Sequence, residues 1–233
     1  WSSLPGWQMP PVMDGYPTKK HVINYLNEYE KKYAFPIERP VYVNTIKKED
    51  DSFVISTDKD SWHSKVVVST TGTWSNPYIP PYTNKEQYQG MQIHSAFYQT
   101  PEPFFNQRVL IVGGGNSGAQ ILAEVSKVAE TKWVTLEEPL FLPDDVDGRV
   151  LFERATQRWK ALQQGQTIEM PTGSLANIVM TSSVKEARDR NVLKASRPFS
   201  KFFEYGVIWQ DGTHSYFDSV IWCTGFKPAL NYL

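Results

Sequence analysis

Residues 108–118 read Arg-Val-Leu-Ile-Val-Gly-Gly-Gly-Asn-Ser-Gly, and this stretch constrains the fold more than any other in the chain. An unbroken apolar run of this length is a strand buried on both faces, as in a parallel sheet. Gly113-x-Gly115-x-x-Gly118 follows, and then Ala119, Ile121, Leu122, Val125 and Val128 recur at helical spacing. Residues 132–136, Lys-Trp-Val-Thr-Leu, read as the next strand. The pattern predicts a βαβ unit with a glycine turn between strand and helix. Gly113 permits the tight turn, Gly115 lets the backbone approach a pyrophosphate, and Gly118 lets the helix pack closely on the strand. Free N–H groups and the helix dipole then favour phosphate at the helix mouth, where Gly114 also lies. Asn116 and Ser117 stand at that mouth, either as added contacts or as plain helix caps.

The tip of the second strand in such a unit distinguishes NAD from NADP, through an acid for the ribose 2′-OH or an Arg for a 2′-phosphate. Here it carries Leu136, Glu137 and Glu138 and no basic residue, so Glu137 is the candidate for the ribose and NADH should serve at least as well as NADPH. Arg149, Arg154 and Arg158, on the next predicted helix, read as a solvated face. Composition excludes several other classes. Lys and Arg number 24 against 25 Asp and Glu, so no basic surplus exists for nucleic acid. Cys223 is the single cysteine, which rules out an internal disulfide or a CxxC pair and predicts a reducing, cytoplasmic setting. No apolar run approaches the roughly 20 residues of a membrane helix. His94 and His214 are isolated, and no metal site is predicted.

The first hundred residues have a different texture. Pro and Gly make residues 1–17 a loop. Thr18 then reads as an N-cap for a helix whose stripe is Val22, Tyr25, Leu26, Tyr29 and Tyr33, ending before Phe35-Pro36. Strands are predicted at 41–46, 53–57 and 66–70, an antiparallel meander, with loop at 72–90. Beyond the βαβ unit, helices are predicted at 148–163 and 183–190, a hairpin about Asp211-Gly212, and a buried strand at 219–223 entering Thr224-Gly225.

Four stretches in this order resemble the bacterial flavin-containing monooxygenases, a branch of the class B flavoprotein monooxygenases. Tyr88-x-Gly90-x-x-x-His94-x-x-x-Tyr98 is similar to the family signature, with Tyr88 for Phe and Gln99 where a basic residue is usual. The glycine loop occupies the position of the family's nicotinamide site. Thr71-Gly72 and Thr224-Gly225 look like its two interdomain linkers, and together the four span nearly the whole chain. The resemblance implies an α/β, two-dinucleotide-binding-domain flavoprotein: a Rossmann-like nicotinamide domain inserted in a partial FAD domain with a β-meander. The implied boundaries are a partial FAD domain at 1–105, the NAD(P)H domain at 106–218 and a return to the FAD domain at 219–233. The family's own first FAD unit is not seen, so the chain reads as an internal portion.

The resemblance also implies chemistry. FAD and NADPH or NADH are the cofactors, O2 and a small molecule the substrates, and a homodimer is the assembly the class suggests. Reduced flavin gives a C4a-hydroperoxide that oxygenates soft nucleophiles such as thioethers and amines, and in some members ketones. The flavin carries the reaction, so no side chain is assigned a catalytic role. His94 reads as structural, joining the two domains. Thr71, Gly72, Thr224 and Gly225 read as backbone approaches to cofactor or as plain tight turns. An NAD(P)H oxidase or flavin reductase on the same scaffold, a Baeyer–Villiger oxygenase, and a non-catalytic nucleotide-binding module remain alternatives.

Overall fold

A computed structural model describes residues 3–13, 15, 17–146, 148–165 and 177–233; the side chains of Arg149 and Arg154 lie outside the described residues. The chain divides into two compact units, Trp1–Thr70 with Leu230–Leu233, and Thr71–Ala229.

In the first unit, α1 spans Lys19–Lys32. Thr18 caps it, its Oγ1 accepting from the His21 N–H, and Tyr33 closes it, as the sequence predicts. Of the aromatic stripe only Tyr25 and Tyr29 are buried; Leu26 and Tyr33 stay exposed. The reason lies in the preceding loop. Tyr25 and Tyr29 donate to the carbonyls of Trp7 and Pro5, and Trp7 packs on both rings, so the helix buries only the face that the loop covers. The meander follows as β1 (Val43–Glu49), β2 (Ser52–Thr57) and β3 (Ser61–Ser64), antiparallel in that order. The third strand is thus earlier than residues 66–70. The Thr57 N–H donates to the Asp60 carbonyl, and this tight turn returns the chain at once, pairing Ser56 with Ser61. Val66 and Val68 are left outside the ladder, 71% and 78% exposed.

The second unit is built on a five-stranded parallel sheet. Its members are β4 (Met91–His94), β5 (Arg108–Val112), β6 (Glu130–Val134), β7 (Ala195–Ser196) and β11 (Ser219–Trp222), in the spatial order β4-β11-β5-β6-β7. A second sheet, β10-β9-β8, is antiparallel, from β8 (Lys201–Phe203), β9 (Gly206–Ile208) and β10 (His214–Tyr216). The run in β5 packs as its lack of alternation demands. Val109 and Ile111 enter a core with α2 (Asn116–Val125) and α4 (Ser182–Asp189), through Ala119, Leu122 and Val184. Leu110 and Val112 enter the opposite core with Phe199, Phe202, Val207 and Trp222. The sheet is therefore covered by helices on one face and by the small antiparallel sheet on the other. α3 spans Gly148–Gln163 at the predicted place.

The Asp211-Gly212 hairpin joins β9 to β10, with Gly212 at φ +83°. Three strands have no counterpart among the predicted ones: β4, within the histidine signature, and the very short β7 and β8. Because β4 and β11 pair in parallel with each other, and β11 with β5, residues 91–94 and 219–222 lie in the same sheet as the glycine loop. Among the described residues no helix is long and apolar enough to cross a membrane.

Candidate functional site

The turn after β5 is shaped by what its glycines face. Gly113 has φ +129°, and a Cβ there would sit 2.1 Å from the Cys223 carbonyl oxygen. A Cβ on Gly118 would sit 2.1 Å from the Gly113 carbonyl oxygen, which is the close helix–strand approach the motif requires. Trp133 Nε1 donates to that same carbonyl at 2.8 Å, and the Gly113 N–H donates to Val134, tying the turn to β6. Gly115 is different. Its φ is −96°, and a Cβ there would meet nothing within 4 Å. The fold does not require a glycine at 115, so the open space belongs to whatever approaches the loop.

Gly115 is also the N-cap of α2, and it offers no side chain to the helix. The first turn carries no acidic residue either. Among the described residues, the opening N–H groups of α2 thus have no side-chain cap and no carboxylate in the first turn to neutralise the positive end of the dipole. Asn116 does not cap. Its Nδ2 donates to the Asn177 carbonyl at 3.1 Å and its Oδ1 accepts from the Val179 N–H at 2.8 Å, pinning that segment to the helix mouth. Ser117 is exposed beside it.

A cleft of about 700 Å³ opens at this end of the sheet. Gly113, Gly114, Cys223 and Thr224 line it from the strand ends, and Thr135, Glu137 and Glu138 from the tip of β6. Pro80, Pro81 and Tyr82, in a segment whose sequence predicts only loop, add an apolar wall. Tyr82 is fixed by stacking on Phe199, with centroids 4.2 Å apart. The tip of β6 is folded by Thr135, whose buried Oγ1 donates to the Glu137 carbonyl at 2.7 Å. One expectation needs correction: the tip is not free of a basic residue. Arg197, just past β7, donates through Nη1 to the Leu136 carbonyl at 2.7 Å. A two-residue strand has no periodicity to betray it, so nothing local could have placed Arg197 there. Cys223 is a neutral thiol, since burial pushes its pKa up to about 12.

The other predicted residues have structural surroundings. Thr71, Gly72 and Gly225 are not among the described lining of the cleft. Instead the two Thr-Gly segments run alongside each other: Ala229 N–H donates to Gly72, Lys227 N–H to Asn76, and Tyr78 N–H to Gly225. Thr71 Oγ1 donates to the Ala229 carbonyl. Within the histidine signature, the Tyr88 phenol lies over Gly90, where a Cβ would be 2.2 Å from its oxygen, and donates to the Phe217 carbonyl. Tyr98 donates to Glu124 of α2 at 2.9 Å. His94 is 2% exposed. Its Nδ1 accepts from the Ala96 N–H, which leaves Nε2–H to donate to the Gly225 carbonyl at 3.0 Å. Both ring nitrogens are thereby used by backbone, and desolvation holds the imidazole pKa below its ordinary value. The signature fastens β4 and the second Thr-Gly turn to the sheet.

A strand–glycine turn–helix facing a cleft at the carboxyl ends of a parallel sheet is the architecture of dinucleotide-dependent oxidoreductases. The whole chain agrees: residues 6–233 fit the family described as pyridine nucleotide-disulphide oxidoreductase, and the chain belongs to it. Its relatives narrow the class. The flavin-containing monooxygenase from Stenotrophomonas maltophilia is 47% identical, with a TM-score of 0.85, over 100% of this chain and 64% of that one. The uncharacterized oxidoreductase CzcO-like of Geobacillus kaustophilus is 29% identical over 240 residues, 100% of this chain and 67% of that protein. An open crystal structure of cyclohexanone monooxygenase is 15% identical with a TM-score of 0.61, covering 90% of this chain and 58% of that one, and shares the fold. The chain thus has the α/β flavoprotein fold that its motifs implied, and it spans 64% of the Stenotrophomonas enzyme's length.

Proposed function

We propose that this chain supplies the nicotinamide-cofactor site of an FAD-dependent monooxygenase that draws reducing equivalents from NADH or NADPH. The observation that carries this is the mouth of α2: a helix N-terminus with, among the described residues, no side-chain cap and no acid in its first turn, beside an open glycine face, at a cleft large enough for a dinucleotide. The residues fit that group. The free N–H groups of α2 would hold the pyrophosphate, and Gly115 would let the backbone approach it. Glu137, at the tip of β6, would accept from a ribose hydroxyl. Pro80, Pro81 and Tyr82 would exclude water from one wall and orient the bound molecule. When bound, FAD would accept a hydride from the nicotinamide and activate O2.

This chain's residues act on the nicotinamide cofactor, and the flavin rests on the relatives. Soft nucleophiles such as thioethers and amines are the proposed substrates, in the reducing setting that a single buried thiol suits. Cys223 is the only thiol of this chain and is neutral near pH 7, which does not suit thiolate–disulfide exchange by it.

The test is the purified full-length protein, analysed by native mass spectrometry for bound FAD and then supplied with NADH or NADPH and a thioether. Bound flavin and nicotinamide oxidation coupled to sulfoxide support the proposal. Peroxide formed in equal amount to oxidised nicotinamide, with no sulfoxide, points to the oxidase. Lactones from cyclic ketones with little sulfoxide point to a Baeyer–Villiger oxygenase. Nucleotide binding without flavin or turnover overturns the enzymatic reading.

A further inference from the structure

The cofactor-discriminating position in a dinucleotide cradle is the tip of its second strand, because the adenosine ribose lies against it. In this chain that tip carries exposed Glu137 and Glu138, which repel a 2′-phosphate. The fold adds an opposing charge from elsewhere. β7 pairs in parallel with β6, Trp133 with Ala195 and Val134 with Ser196, so residue 197 emerges level with the tip. Arg197 is exposed, and one of its N–H groups donates to the Leu136 carbonyl at 2.7 Å. That bond tethers the guanidinium beside the tip and leaves most of its five donors available. No carboxylate among the described residues forms an ion pair with Arg197. Pro198 follows it, restricting Arg197 to extended backbone, and Pro198 itself lines the cofactor cleft. On its other side Arg197 shares a groove of about 380 Å³ with Lys132 and Trp209. The groove's one acid, Asp211, is bonded by the Thr213 N–H and hydroxyl.

We propose that Arg197 reads the 2′-phosphate of NADPH, so that cofactor choice is decided across the sheet by β7, in opposition to Glu137 and Glu138 on β6. The planar fork of Arg suits two oxygens of a phosphate at once, and its charge is permanent. One tip then holds both signs: the carboxylates favour the free 2′-OH of NADH and the guanidinium favours the phosphate of NADPH. This rests on the reading of residues 113–118 as the nicotinamide cradle, and the experiment separates the two.

The probes are adenosine 2′,5′-bisphosphate and 5′-AMP, which differ only in the 2′-phosphate, titrated calorimetrically into the full-length protein and into its Arg197→Ala and Arg197→Lys variants. The wild type should bind the bisphosphate more tightly than 5′-AMP. Arg197→Ala should lose about tenfold or more in bisphosphate affinity. Its 5′-AMP affinity should stay within about twofold, since no contact to that molecule is removed. Arg197→Lys should recover part of the difference, because charge remains and the fork is lost. Steady-state kcat/KM should follow, falling for NADPH and holding for NADH. A wild type without preference for the bisphosphate, or a preference that survives Arg197→Ala, overturns the proposal and leaves the cradle intact. Failure of both probes to bind the wild type overturns the cradle itself. Should Arg197→Ala fold poorly, an Arg197→Lys variant with wild-type Tm and wild-type bisphosphate affinity would also count against the fork.

Discussion

At Gly113 and Gly118 an added Cβ would lie 2.1 Å from a carbonyl oxygen, while at Gly115 it would meet nothing within 4 Å. The same motif therefore holds two glycines that packing requires and one, Gly115, that it does not, and the ligand role proposed for Gly115 separates from the other two by experiment. Gly115→Val should leave stability within about 1 kcal/mol of wild type, as expected where no packing changes. It should abolish nicotinamide-nucleotide binding, measured by calorimetry. Gly118→Ala should instead lower Tm, because helix and strand must part, and should lose binding only as a consequence. A second residue-scale case is His94. Its folded pKa lies below the ordinary value, so the unfolded chain takes up a proton first as pH falls. Its contribution is fully present above about pH 6.5 and is lost as pH drops from there through the lower folded value. His94→Gln should cost about 1–3 kcal/mol at pH 7.5, and the difference in Tm from wild type should narrow at pH 5. A constant difference across that range would show that the imidazole binds its proton equally well in the folded and the unfolded chain.

Elements differ in how openly they announce themselves. β5 and α2 are legible because burial on two faces demands an unbroken apolar run, and a helix over a sheet demands the 3.6-residue period. β7 and β8 are not, since strands of two and three residues contain too few positions for any period. The third meander strand forms at Ser61–Ser64 although residues 66–70 have better β-forming side chains. Turn geometry after Thr57 outranks propensity, since pairing must resume where the turn ends. Asn116 shows the same limit at a helix mouth. Its position invites a cap or a cofactor contact, but its amide holds Asn177 and Val179. Asn116→Ala should therefore destabilise by about 1–2 kcal/mol through two lost hydrogen bonds. Amide exchange should accelerate at Val179 before it does in β5, and equal exchange in variant and wild type would deny the pinning role.

At the scale of the molecule, the proposed cradle would make the balance of charges at the tip of β6 set a cofactor ratio. Glu137→Arg removes one repulsion and adds an attraction, so it should raise kcat/KM for NADPH relative to NADH by about tenfold or more. An unchanged ratio would mean that Glu137 faces away from the ribose. The sequence alone determined the βαβ unit, the two glycines that its packing requires, and, through four motifs in order, the family resemblance. Each of these is written in local chemistry: a conformation only glycine adopts, an apolar period, a helix mouth free of acid. Only the tertiary structure decided that the histidine signature contains a sheet strand, that the two Thr-Gly segments pair with each other, and that Arg197 bonds the Leu136 carbonyl at the tip of β6. Those facts arise from pairings between residues 60 to 160 positions apart. Their geometry is fixed by sheet register and packing, and a one-dimensional pattern carries no term for either.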